Sequence, residues 1–145
     1  MLEVEVKVPW SGGDKPLFDL GAKFREEYLQ EDVYFAHPCR DFLESGEALR
    51  IRCVDGEFFL TYKGPRLDVD TKSRQEIEFP ASAQLFEVLK KLGFREAGCV
   101  VKKRRTYKLG DLLFCLDDVE GLGSYLEVES NKLEDKQEIF AVLSK

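Results

Sequence analysis

The chain has 145 residues, of which 43% are hydrophobic, 12% aromatic and 34% charged, with a net charge of −6. That is enough apolar material for one substantial core, so residues 1–145 read as a single domain, and the excess of acid argues against a nucleic-acid partner. No stretch reaches the apolar length of a membrane helix and no leader pattern opens the chain, so a soluble cytoplasmic protein with no membrane partner is expected.

In chain order, residues 3–9 (EVEVKVP) alternate Glu3, Glu5 and Lys7 with Val4, Val6 and Val8, which is the two-residue period of a strand. A short helix follows at DKPLFDLGA, where Pro16 suits a first helical turn. Residues 29–36, 47–54, 57–64 and 74–80 are rich in β-branched and aromatic residues and bounded by turn formers, so they read as strands. The loop GPRLDVDTKSR between Lys63 and Glu76 has the length of a functional lid. Residues 82–93 place Leu85, Phe86, Leu89 and Leu92 on one helical face and stop at Gly93. Strand patterns return at 99–109, 111–119 and 124–130, and the tail after Ser130 aligns Leu133, Phe140 and Leu143 for a last helix. Eight strands in so short a chain favour a barrel or a strongly curled sheet. A faint repeat is visible: EVEVKVP followed by LGAKF parallels QEIEFP followed by LGFRE.

Cys39, Cys53, Cys99 and Cys115 are widely spaced and have only His37 as an imidazole neighbour in the whole chain, which suggests reduced thiols and neither a zinc site nor a redox pair. His37, before Pro38 in a turn, reads as a packing residue.

Every strong strand has an ionic face. Arg50 and Arg52 stand opposite Leu49, Ile51 and Cys53; Lys63 shares a face with Thr61; Arg74, Glu76 and Glu78 oppose Ile77 and Phe79; Lys102 and Arg104 share a face; Asp117 follows Cys115; Glu127 and Glu129 oppose Leu126 and Val128. Taken singly each is a solvated face. As a set they segregate by sign, whereas solvated faces mix signs and include Ser, Thr and Asn. Burying so many charges is costly unless they are paired or meet a charged ligand, so a closed barrel with its apolar faces outward would be lined for a ligand of both signs. Paired acids such as Glu3 with Glu5, or Glu127 with Glu129, suit magnesium or manganese, and Arg and Lys suit phosphate; a polyphosphate with its metal ion carries both charges. No Walker-type loop is present, since GGDK at 12–15 lacks the spacing.

ExExK at Glu3, Glu5 and Lys7, then QEDVYF, ALRIR, LTYKGP, KSRQEIEF, KKRRTY and LDDVEGLGSYLEVE in this order, resemble the CYTH superfamily of triphosphate tunnel enzymes, and most closely its class IV adenylyl cyclase-like branch. The resemblance implies an α+β fold: an eight-stranded antiparallel barrel with a few peripheral helices, binding a triphosphate and Mg2+ or Mn2+. Carried over, Glu3, Glu5, Glu127 and Glu129 are metal acids with Asp117 near the metal; Lys7, Arg50, Arg52, Lys63, Lys102 and Arg104 hold phosphate, joined by Arg74; Glu76 and Glu78 are further tunnel acids; Glu3, Glu5, Lys7 and Asp117 form the expected catalytic set. The glycines of EGLG at 120–123 are read as backbone devices. The short tail departs from many cyclase-like relatives.

The leading expectation is conversion of ATP to cyclic AMP and pyrophosphate. The alternatives are hydrolysis of tripolyphosphate, thiamine triphosphate or a nucleoside triphosphate, and a binding module without turnover. An RNA-end triphosphatase, suggested by KKRR, sits poorly with the acid balance. Either a monomer or a homodimer is compatible with the chain.

Overall fold

The computed structural model describes residues 2–67 and 74–130. Strands β1 (Leu2–Pro9), β2 (Lys23–Ala36), β3 (Ala48–Val54), β4 (Glu57–Lys63), β5 (Arg74–Ala81), β6 (Arg95–Leu109), β7 (Leu112–Val119) and β8 (Gly123–Ser130) close into a barrel in the order β1-β5-β4-β3-β2-β6-β7-β8. Every ladder is antiparallel. Helices α1 (Lys15–Asp19), α2 (Phe42–Ser45) and α3 (Gln84–Lys91) complete the described elements. The tail helix read after Ser130 and most of the lid-length loop lie outside the described residues. No described helix is long and apolar enough to cross a membrane.

β2 and β6 begin earlier than their sequence patterns, because the polar start of each pairs with the end of the other: Lys23 faces Lys108 and Arg95 faces Ala36. Here a ladder partner overrides weak strand propensity. β3 and β4 are joined by Asp55 and Gly56, both at positive φ (50° and 79°), the geometry a two-residue hairpin loop requires. Gly121 and Gly123 of EGLG also take positive φ. α2 was not anticipated; Asp41 accepts a hydrogen bond from the Leu43 amide at 2.9 Å, and Gly46 ends the helix in the left-handed region.

The barrel is inside out with respect to polarity. One apolar cluster (Val4, Leu17, Tyr107, Phe114, Leu126 and Val128 among its members) joins the outer faces of β1, β6, β7 and β8 to α1. A second joins Phe35, Leu49 and Ile51 to Leu89 of α3, with Phe58 and Phe86 against it. Since strand side chains alternate, burying these outward residues under helices turns Glu3, Glu5, Arg50, Lys63 and Glu127 into the barrel. His37 packs as expected: its ring meets Phe42 and Phe94, and its Nδ1 accepts from the Cys39 and Arg40 amides at 3.0 Å. All four cysteines are free thiols.

The faint repeat is reflected in the topology, which is unchanged when β1–β4 are exchanged with β5–β8. Aligning Pro9 with Pro80 carries Glu3 onto Arg74, its own ladder partner. Aligning Gly21 with Gly93 carries Gln30 onto Lys102, again its own partner. A pseudo-twofold axis therefore passes through both ladders. It relates the Asp32/Arg52 pair of β2 and β3 to the Arg104/Asp117 pair of β6 and β7 with acid and base exchanged.

Candidate active site inside the barrel

The barrel encloses a cavity of about 270 Å3, and every residue lining it is charged except Tyr28, Tyr34, Ala48, Thr61 and Leu113. Of the residues singled out in the sequence, all but Asp117 line it.

β1 and β8 build an acid wall. Their register sets Glu5 opposite Glu129 and Lys7 opposite Glu127. Glu3, Glu5 and Glu129 each bring one carboxylate oxygen within 4.8 Å of the others, a cluster of hard oxygen donors of the kind Mg2+ and Mn2+ accept. Lys63 reaches into it from β4, with Nζ 2.6 Å from Glu3, 3.9 Å from Glu5 and 3.8 Å from Glu76. Burial works against ionising Glu3, yet the hydrogen bond with Glu76 and the Lys63 ammonium hold its carboxyl down at about 2. Burial and the neighbouring Glu127 push Glu5 up to about 10; burial, Glu127 and Glu3 push Glu129 to about 8; burial and Glu3 push Glu76 to about 8. At neutral pH this wall therefore holds protons as well as negative charge.

Glu127 and Asp117 sit differently. Arg104 clasps Asp117 through Nε and Nη2 at 2.7 and 2.8 Å and gives Nη2 to Glu127 at 2.8 Å, while Lys102 lies 3.6 Å from Asp117. Despite full burial, Arg104 holds Glu127 well below the usual carboxylate range. Burial and the adjacent Arg104 push Lys102 down to about 8. The five acids read as metal ligands thus divide into a converging trio and two that anchor Arg104.

β3 supplies the facing wall. Arg52 is held in a bidentate pair with Asp32 at 2.8 and 2.9 Å, an acid the sequence reading did not single out although it lies directly across the ladder. Arg50 makes no ion pair among the described residues; Nη1 reaches only the Tyr34 hydroxyl at 3.5 Å, and its buried Nε has no hydrogen-bond partner. At 8% exposure this is a desolvated cation with no carboxylate in ion-pair contact among the described residues, although Tyr34, Asp32 and Glu3 act on it from further off and favour its charged form. Glu78 accepts from Thr61 at 3.0 Å, Arg74 donates to the Gly46 carbonyl at 3.0 Å, and exposed Lys7 lies over the Tyr125 ring at 5.4 Å. In KKRR the alternation separates Lys102 and Arg104, inside, from Lys103 and Arg105, which pair outside with Glu27 and Asp14.

The CYTH domain family matches residues 1–145. The chain belongs to this family. It is 46% identical over 136 residues to MJ0240 of Methanocaldococcus jannaschii, named provisionally as an adenylate cyclase, covering 90% of this chain and 78% of that one. The solved PH1819 protein of Pyrococcus horikoshii superposes with a TM-score of 0.83 at 38% identity, over 98% of this chain and 86% of that one. HpAC1 of Hippeastrum, described as an adenylyl cyclase candidate with a dominant triphosphatase activity, shares the fold at a TM-score of 0.69 and 21% identity, over 99% and 84% of the two chains. The eight-stranded antiparallel barrel with short helices is thus the CYTH fold.

Proposed function

We propose that this CYTH protein is a divalent-metal-dependent enzyme that acts on a triphosphate inside its barrel. The observation that carries the reading is Arg50, a buried guanidinium with no carboxylate in ion-pair contact among the described residues, on a wall that faces converging acids. A buried cation kept unpaired costs stability, and an anionic ligand would supply the missing partner.

The residues fit Mg2+ or Mn2+: Glu3, Glu5 and Glu129 offer clustered oxygens, and the Lys63 ammonium already marks the place as one for a cation. Bound there, a divalent ion would neutralise phosphate oxygens and polarise the phosphorus under attack. The chain's own residues do the rest. Arg50 and Arg52 can present guanidinium forks to phosphate oxygens, Arg52 with its orientation fixed by Asp32. Lys102 and Arg104, held by Asp117, stabilise charge that builds on the leaving phosphate. An arriving anion also favours the charged form of Lys102.

Two reactions suit such a lining. Water attacking the γ-phosphorus breaks the bridging P–O bond and yields orthophosphate and a diphosphate. A ribose 3′-hydroxyl attacking the α-phosphorus yields a cyclic nucleotide and pyrophosphate. Among the described lining residues the uncharged ones are two tyrosines, Thr61, Ala48 and Leu113, and the charged walls would hold the triphosphate in either reaction. The cyclase reading is supported by the name of MJ0240. Purified protein with Mg2+ or Mn2+ is offered tripolyphosphate and, separately, ATP, and the products are followed by phosphorus NMR. Orthophosphate establishes a triphosphatase, and cyclic AMP with pyrophosphate a cyclase. Tight binding without product leaves a binding module, and no binding refutes the reading.

A further inference from the structure

Lys63 occupies ground that belongs, by its chemistry, to the metal. Its Nζ is 2.6 Å from Glu3 and within 3.9 Å of both Glu5 and Glu76, and its side chain is 8% exposed. Glu3 and Glu5 are two of the three acids whose oxygens converge within 4.8 Å. An ion bound by those oxygens would share the Glu3 carboxylate with Lys63 and would repel the ammonium.

Lys63 also has somewhere else to go. β4 lies between β3, which carries the unpaired Arg50, and β5, which carries Glu76; Lys63 faces Ala48 on one side and Glu76 on the other. Ala48, Arg50 and Lys63 line the same cavity, and a rotation of the flexible lysine stem would carry Nζ from the acids towards the Arg50 side.

We propose that Lys63 is an internal competitor for the metal: it seals the acid cluster when the barrel holds no ligand and transfers to the phosphates when a divalent ion enters. This rests on the metal and triphosphate reading above. Metal entry frees a cation for the phosphate, and phosphate binding draws that cation out of the metal's place. The two ligands therefore bind with positive coupling, and by linkage each raises the affinity of the other by the same factor.

The test is Mn2+ alone, titrated into the whole protein and followed by the paramagnetic resonance signal of free Mn2+. Lys63→Met keeps the stem and removes the charge, and it is expected to bind Mn2+ at least about ten-fold more tightly than the wild type. Lys63→Arg, which keeps a cation, is expected to stay near the wild-type affinity. Equal Mn2+ affinity in wild type and Lys63→Met overturns the competition and leaves the metal site standing; no Mn2+ binding by either overturns both. Should Lys63→Met fail to fold, a structure of the wild type with Mg2+ bound decides. The Lys63 to Glu3 hydrogen bond must then be broken, and its persistence beside a bound ion refutes the proposal.

Discussion

Replacing Arg50 by Met separates a ligand-binding charge from a structural one. In the ligand-free protein Arg50 forms no ion pair among the described residues, so its removal strands no carboxylate and takes away a buried charge. The stability of the folded protein should not fall, and should rise by up to several kcal/mol, because an unpaired buried charge is removed while the packing of the stem is largely kept. Binding should change greatly. A guanidinium that engages phosphate through two charge-assisted hydrogen bonds contributes about 1.5–3 kcal/mol for each. Their loss totals about 3–6 kcal/mol, or a dissociation constant weakened between about a hundred-fold and ten-thousand-fold. Calorimetric titration with tripolyphosphate in the presence of a metal chelator measures affinity without turnover, and thermal unfolding of the ligand-free protein measures stability. An affinity within three-fold of wild type refutes the assignment of Arg50 to phosphate. A large loss of stability at unchanged affinity refutes the claim that it lacks a structural partner.

Arg104→Met should behave in the opposite sense, destabilising the protein by about 3–5 kcal/mol because Asp117 and Glu127 would stay buried without their cation; chemical denaturation checks it. Proton release on metal binding follows from Glu5 and Glu129, raised to about 10 and about 8: near pH 7 both carry protons that an ion must displace, so Mn2+ affinity rises with pH, and calorimetry in buffers of different ionisation enthalpy shows release. The same acids, with Glu76 at about 8, bind protons in the folded chain that the unfolded chain has lost above the ordinary glutamate value of 4.5. Metal-free stability should therefore fall as pH rises from 5 to 8, by at most about 1.4 kcal/mol per unit for each proton held, and melting curves across that range test the sign. Phe114→Ala in the outer core should cost about 3–5 kcal/mol and leave the relative affinities of metal and tripolyphosphate as they are.

What was legible in the sequence was whatever alternation encodes. Strand period gives faces, faces give the inward set, and Glu3, Glu5, Arg50, Lys63, Lys102 and Glu127 all line the cavity as read. What alternation cannot encode is which inward charges neutralise each other, since that depends on strand order and register. Asp32 illustrates this: in QEDVYF it is one acid among polar neighbours, and only the β2–β3 ladder shows it fixing Arg52. Asp117 carries the same lesson, because the ladder between β6 and β7 sets it against Arg104, away from the Glu3, Glu5 and Glu129 oxygens. α2 escaped notice because four residues carry no periodicity; its signal is the Asp41 cap and Gly46 stop in DFLESG.

The pseudo-twofold explains why the remaining charges cannot neutralise themselves. The Asp32/Arg52 and Arg104/Asp117 pairs, which the axis interchanges, are closed within each half, and exchanging the halves only reverses their signs. Two residues further along the same hairpins the halves part company: Arg50 faces Thr61 where Cys115 faces Glu127, and Ala48 faces Lys63 where Leu113 faces Glu129. One half therefore gains two cations and the other two acids, on opposite walls of one cavity. Arg104 answers Glu127 and Lys63 stretches across to Glu3, but Arg50 has no such partner among the described residues. A scaffold selected for stability alone would repeat the closed pairs along both hairpins, because an unpaired buried ion costs several kcal/mol. Breaking the symmetry at these positions stabilises only a state in which an anionic chain lies along one wall and a cation along the other, which is the charge distribution of a metal-bound triphosphate.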